Sequence, residues 1–115
     1  MALNEVFRDA DHLSLPVPSD TASGKPVRIG GLNGVTETAE GEGFNADGYA
    51  SVWLKGAHKV NVTTTTTLTV GAPVYIVTAS NTLTTTDNSD ANPLFGHALE
   101  AKGNTAQDII VRLAN

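Results

Sequence analysis

Three histidines, His12, His58 and His97, are the side chains of this 115-residue chain best suited to proton transfer or metal binding near neutral pH. A metal site would need them, or carboxylates and cysteines, at short ligand spacings such as a paired-histidine motif. Their separations are long, no cysteine joins them and no HExxH occurs. They are expected to be surface or partly buried imidazoles. His97 stands in FGHALE, where Leu94, Gly96, Ala98 and Glu100 alternate with Phe95, His97, Leu99 and Ala101. That alternation predicts a strand with His97 on its more apolar face, as a hydrogen-bonded core histidine. The acids Glu37, Glu40, Glu42 and Asp47 raise calcium as a ligand. A hand-like calcium loop needs Asp or Asn at alternating positions and a distant bidentate Glu. Glycine and alanine interrupt that series here, so a bare solvated loop is expected. DNSD, at 87–90, reads as a turn. The glycines at 30, 31 and 34 do not form GxGxxG, and no serine sits in GxSxG. The expectation is a protein that is not an enzyme and carries no cofactor and no metal. Trp53, in SVWLKG, is expected in the core, an exposed sugar-stacking Trp being the alternative.

The elements that carry these residues are strands. In KVNVTTTTTLTV (59–70) the even positions read Val60, Val62, Thr64, Thr66, Leu68, Val70 and the odd ones Asn61 and threonines. A period of two marks a half-buried strand, and threonine, β-branched with a hydroxyl, suits its wet face. Twelve residues would be about twice the usual strand. The segment therefore predicts a strand near 58–63, a bend inside the threonines, and a short extended approach to Gly71. Similar patterning predicts strands at 12–17, 26–31, 34–39, 49–56 (continuing past Gly56 through a bulge), 73–80, 82–86, 93–101 and 108–114. Asn33-Gly34 is read as the turn of the first hairpin, since Asn-Gly is the strongest short hairpin signal. The fold class is thus all-β: a small single-domain sandwich or barrel of about eight short strands over residues 12–115, with a short N-terminal arm at 1–11.

One core is expected at this length. The charge balance, 7 basic against 12 acidic residues for −5, has no basic cluster, which argues against nucleic acid and anionic membranes as partners. No 18-residue apolar run and no basic-then-apolar start are present, so no membrane span and no signal peptide are expected. An internal echo relates GKPVRIGGLNGVTET, from Gly24, to GAPVYIVTASNTLTTT, from Gly71. Both run Gly-x-Pro-Val-x-Ile into a turn with Asn and a threonine-rich return. Gly24 and Gly71 permit a positive φ, and Pro26 and Pro73, as first strand residues, forfeit no needed ladder bond. The echo predicts two related hairpins about a pseudo-symmetric core. In the arm, Leu3, Val6, Phe7 and Ala10 fall on one helical stripe. Ten residues are marginal as an isolated helix, so the stripe must pack on its own β-domain or on a neighbouring subunit, where an extended form would serve equally.

Taken together, SGKPVRIGGLNGV (23–35), TVGAPVYI (69–76), LFGHALEA (94–101) and DIIVRLAN (108–115) resemble, in order and spacing, the phage head-decoration or capsid-cement proteins. The threonine run departs from that family's more charged approach to the second Gly-x-Pro-Val. The resemblance implies an all-β, non-catalytic protein attached to the outside of an icosahedral shell. Its partners would be the major capsid protein and itself, as a homotrimer made in the host bacterial cytoplasm and carried on the virion. The competing expectation is a β-sandwich binding module of a fibre or carbohydrate-binding type, favoured if Phe44, Trp53 and Tyr75 form an exposed aromatic cluster.

Overall fold

The computed structural model describes residues 11–63 and 66–115, and among them every regular element is a strand. The first four are β1 (His12–Pro16), β2 (Pro26–Ile29), β3 (Leu32–Thr36) and β4 (Tyr49–Trp53), forming an antiparallel sheet in the order β1-β4-β3-β2. The next five are β5 (Ala57–Val62), β6 (Pro73–Val77), β7 (Thr82–Thr84), β8 (Leu94–Ala98) and β9 (Gln107–Leu113), and they close a barrel in the order β5-β7-β6-β8-β9. Its pairs are antiparallel except β5 and β7, which meet in parallel at Val62 and Leu83. The all-β expectation holds, with nine strands for about eight.

The segment expected to run through a bulge at Gly56 instead leaves the sheet and enters the barrel. Gly56, at φ 95°, makes that change of direction. Two core clusters result where one was expected. Val60, Val62, Val74, Ile76, Leu83, Phe95, Ile109 and Val111 fill the barrel, while Val17, Val27, Ala50 and Val52 fill the sheet side. β3 belongs to both, because Val35 packs into the barrel cluster while Gly34 lies against Val52 on the other face. Four of its five residues are consequently buried.

The first hairpin turns at Gly30-Gly31, not at Asn33-Gly34. Ile29 pairs with Leu32, Arg28 with Asn33 and Val27 with Gly34, leaving a two-residue turn with Gly30 at φ 58°. Asn33 and Gly34 are strand residues held by packing. A Cβ on Gly34 would fall 2.9 Å from the Trp53 carbonyl oxygen and closer still to Val52. Asn33 is 1% exposed and joins the two units. Its Nδ2 donates to the carbonyls of Leu94 at 2.9 Å and Ala114 at 2.8 Å, and its Oδ1 accepts from Arg28 Nη1 at 2.7 Å. From the far end of the chain, the Asn115 side chain mimics a strand partner. Its Oδ1 accepts from the Asn33 N–H at 2.9 Å and its Nδ2 donates to the carbonyls of Asn33 and Leu54.

The Gly-x-Pro echo is real at its start and lost at its turn. Gly24 (φ 73°) and Gly71 (φ 89°) both precede strands that begin at Pro26 and Pro73. The second hairpin pairs Val77 with Thr82 and so turns over four residues, two more than the first. The two hairpins also lie in different sheets, so no pseudo-symmetric core forms. They do touch: Asn81 Oδ1, from the second turn, accepts from the outward N–H of Arg28 at 3.2 Å. With Pro26 lacking a donor, this cap blunts the free edge of β2.

His97 is exposed, against the expectation of a core histidine. Val74 pairs with Gly96 but Tyr75 with Leu94, so Phe95 is the extra residue of a bulge and the alternation shifts there. Phe95 and Ala98 turn inward, and His97, opposite Arg112, turns out. The threonine segment behaves as expected at its ends, β5 stopping at Val62 and a bend falling at Thr66. Leu68 is buried beside Lys102, while Val70, expected on the inner side, is 66% exposed because the period is not kept through the bend. The arm residues Leu3, Val6, Phe7 and Ala10 lie outside the described residues.

Candidate interaction surfaces

The acidic loop 37–48 is ordered from within, not merely solvated. Glu40 turns back over its own connection: Oε2 accepts from the Gly48 N–H at 2.7 Å and Oε1 from that of Asp20 at 3.2 Å. The Gly48 and Asp20 amides favour the ionised form and hold its carboxyl below the usual carboxylate range. Asn45 ties the middle. Its Nδ2 donates to the Glu42 carbonyl at 2.7 Å, to Thr38 Oγ1 and to Ser51 Oγ, and Ser14 Oγ donates to its Oδ1. Glu37 leaves for β1, where it meets His12 Nε2 at 2.6 Å. Of the loop's acids, Glu37, Glu42 and Asp47 are exposed, the last two on either side of Phe44, whose side chain is wholly in solvent at 111% of its reference area.

A second surface lies along β1 and β4. Trp53, expected in the core, is 36% exposed, with the His12 ring stacked on it at a centroid distance of 4.0 Å and an interplanar angle of 13°. It faces out because it alternates with the buried Ala50 and Val52 on β4, and the adjacent strand supplies a flat partner instead of a core. Phe44, Trp53 and Tyr75 make no ring contact with one another among the described residues, so the aromatic cluster that a sugar site would need does not form. A third surface is the outside of the barrel. Leu99 (44% exposed) and Ile110 (36%) adjoin there through the bond from Leu99 N–H to the Ile110 carbonyl. Around them stand His97, Arg112 and Lys59.

Between the two units opens a cleft of about 610 Å³. Its walls carry Lys25 and Lys59 against Asp20 and Asp108, with Asn61 Nδ2 donating to Asp108 at 3.0 Å. The charges balance, and the hydroxyls of Thr21, Thr63 and Ser80 are bonded to the Pro18 carbonyl, the Leu83 carbonyl and Thr82, not to a base as a nucleophile would be.

A family described as phage cement protein matches residues 7–113. The chain belongs to that family. No curated protein and no solved structure gave a match. Membership gives this cement protein an association with the phage capsid.

In the cement protein, the segments that carried the resemblance meet at the junction of its two units. Asn33 and Arg28, from the first segment, bond to Leu94 in the third and, through Asn33, to Ala114 and Asn115 in the last. The second segment joins the third where the Gly71 N–H donates to the Ala98 carbonyl at 2.7 Å. Gly24, Pro26, Gly71 and Pro73 start strands, and Asn33 and Gly34 are interior to one. These residues build the fold. Of the exposed apolar residues, Phe44 had been read only as a member of an aromatic cluster with Trp53 and Tyr75, which does not form, and Leu99 and Ile110 had not been singled out. The available signal was an aromatic residue stranded in the glycine- and acid-rich GEGFNADG.

Proposed function

We propose that the chain is a non-enzymatic decoration protein that sits on the outer surface of a phage head, binds the major capsid protein and reinforces its lattice as a homotrimer. The single observation carrying this reading is the cement-family match across nearly the whole chain. The geometry is compatible with it in three ways. The histidines are committed to structural partners or lie apart: His12 to Trp53 and Glu37, and His58 Nε2 within 3.0 Å of the Lys55 carbonyl. Both units are stiffened by ladders and by the Asn33 junction, as a part under mechanical load requires. The exposed apolar residues occur as small separate surfaces, which suits contacts repeated many times over a shell.

The test is to mix purified protein with empty expanded shells of the phage, sediment them, and count bound copies. Saturable binding in multiples of three, with shells that then resist heat or chaotrope better, supports the proposal. Absence of binding removes the decoration role, and a strict monomer by light scattering, both free and bound, removes the trimer.

A further inference from the structure

We propose that Phe44 is the anchor by which this chain docks onto the shell, inserting into an apolar recess edged by basic side chains on a shell subunit. The inference rests on the cement reading and adds to it the contacting residue and the chemistry of the partner.

The loop around Phe44 is held in a way that its own stability does not call for. Asn45, the next residue, is fastened by its side chain to three strands or loops, through Ser14, Ser51, Thr38 and Glu42. Glu40 fixes the loop to its own end at Gly48 and to the neighbouring loop at Asp20. Phe44 is left at the tip, fully in water. A phenylalanine there contributes nothing to either core, and water-exposed aromatic surface is unfavourable. A rigid frame that presents one large apolar side chain has already lost the conformational entropy that binding otherwise costs. Buried aromatic side chains at the centre of an interface are also what dominate binding energies.

Charge selects the partner. Residues 37–48 hold four acids and no Lys or Arg. Glu37 is taken by His12 and Glu40 by backbone amides, so Glu42 and Asp47 are the free carboxylates flanking the tip. An apolar knob with an acidic collar fits an apolar hole with a basic rim. The chain's own inter-unit cleft is a poorer host, since its two lysines are matched by two aspartates.

The experiment measures binding of wild type, Phe44→Ala, Phe44→Leu and the pair Glu42→Gln with Asp47→Asn to empty expanded shells, alongside thermal unfolding of each free protein. The expected result is an unchanged unfolding midpoint for Phe44→Ala with binding weakened by about thirty-fold or more, the factor for a hot-spot side chain. Phe44→Leu should fall between, and the charge-neutral pair should lose much of the salt dependence of association. Wild type that binds while Phe44→Ala binds within twofold of it overturns the anchor and leaves the decoration role standing. A Phe44→Ala protein whose midpoint drops by many degrees overturns it too, by showing the side chain to be structural. Wild type that does not bind removes both.

Discussion

Replacing Asn33 by alanine should cost about 2–4 kcal/mol of folding stability, and the contrast with Asn115 shows why. Each side chain makes three hydrogen bonds, so a tally of bonds makes the two changes equal. Burial decides otherwise. Asn33 is 1% exposed, and its removal takes a hydrogen-bond partner from the part-buried Leu94 and Ala114 carbonyls and from one arm of Arg28. A buried group left without a partner costs about 1–3 kcal/mol. Two carbonyls set the range, trimmed because Arg28 Nη1 also reaches the Leu94 oxygen at 3.3 Å and can turn toward solvent. Asn115 is exposed, so water can replace it, and Asn115→Ala should cost below about 1 kcal/mol. For a chain of this length 1 kcal/mol corresponds to about 4 °C, so Asn33→Ala should melt about 8–16 °C lower. Urea unfolding followed by Trp53 fluorescence and by far-ultraviolet circular dichroism gives both numbers. If the junction couples the units, the two probes should also separate in Asn33→Ala, because Trp53 reports on the sheet and the dichroism on both units. A loss below 1 kcal/mol for Asn33→Ala, or equal losses for both variants, would refute the argument from burial.

Other substitutions test other parts. Gly96→Ala should destabilise by about 3 kcal/mol or more, since a Cβ there meets the Arg112 carbonyl and lies 2.8 Å from Val111 Cγ1, whereas Gly31→Ala, facing open space, should be close to neutral by the same urea unfolding. Ser89 stands at φ 55° between Asn88 at 49° and Asp90 at 70°, three left-handed residues in a row, so Ser89→Gly should gain about 0.5–1 kcal/mol. Glu40 has a folded pKa below its unfolded one, so its contribution is complete above the unfolded value near 4.5 and fades as pH falls through the lower folded value. The protection factors of the Gly48 and Asp20 amides, with the intrinsic slowing of exchange in acid divided out, should therefore fall as pH drops, and Glu40→Gln should remove most of that acid response.

Strand positions were legible because burial on one face imposes a period of two, and it did so from Tyr49 to Trp53 and from Gln107 to Leu113. Gly24 and Gly71 were legible because a positive φ before a proline-led strand is a local requirement. What failed was non-local. The pull of Asn33-Gly34 toward a turn loses to partners 61 and 81 residues away, at Leu94 and Ala114. His97 was misplaced by a single bulged residue, and the division into two cores depends on a change of direction at Gly56 that composition does not announce. Of the interaction surfaces, Phe44 was legible only as a member of an aromatic cluster that does not form, because the frame that presents it singly comes from Ser14, Thr38, Glu40 and Ser51, scattered through the sequence.

Seating Asn33-Gly34 inside a strand also bears on chemical ageing. An Asn-Gly pair in a flexible chain loses ammonia spontaneously: the glycine nitrogen attacks the asparagine side-chain carbon, and the cyclic imide opens to aspartate or isoaspartate. That ring closure needs a backbone free to fold back on itself and a side chain free to rotate. Here Gly34 is fixed opposite Val27 in the ladder, and the Asn33 amide is clamped between the Leu94 and Ala114 carbonyls. The folded protein therefore shields its own weakest bond. Copies that dwell unfolded before assembly would instead acquire a carboxylate facing two carbonyl oxygens, a lesion that closes the route back to the native junction.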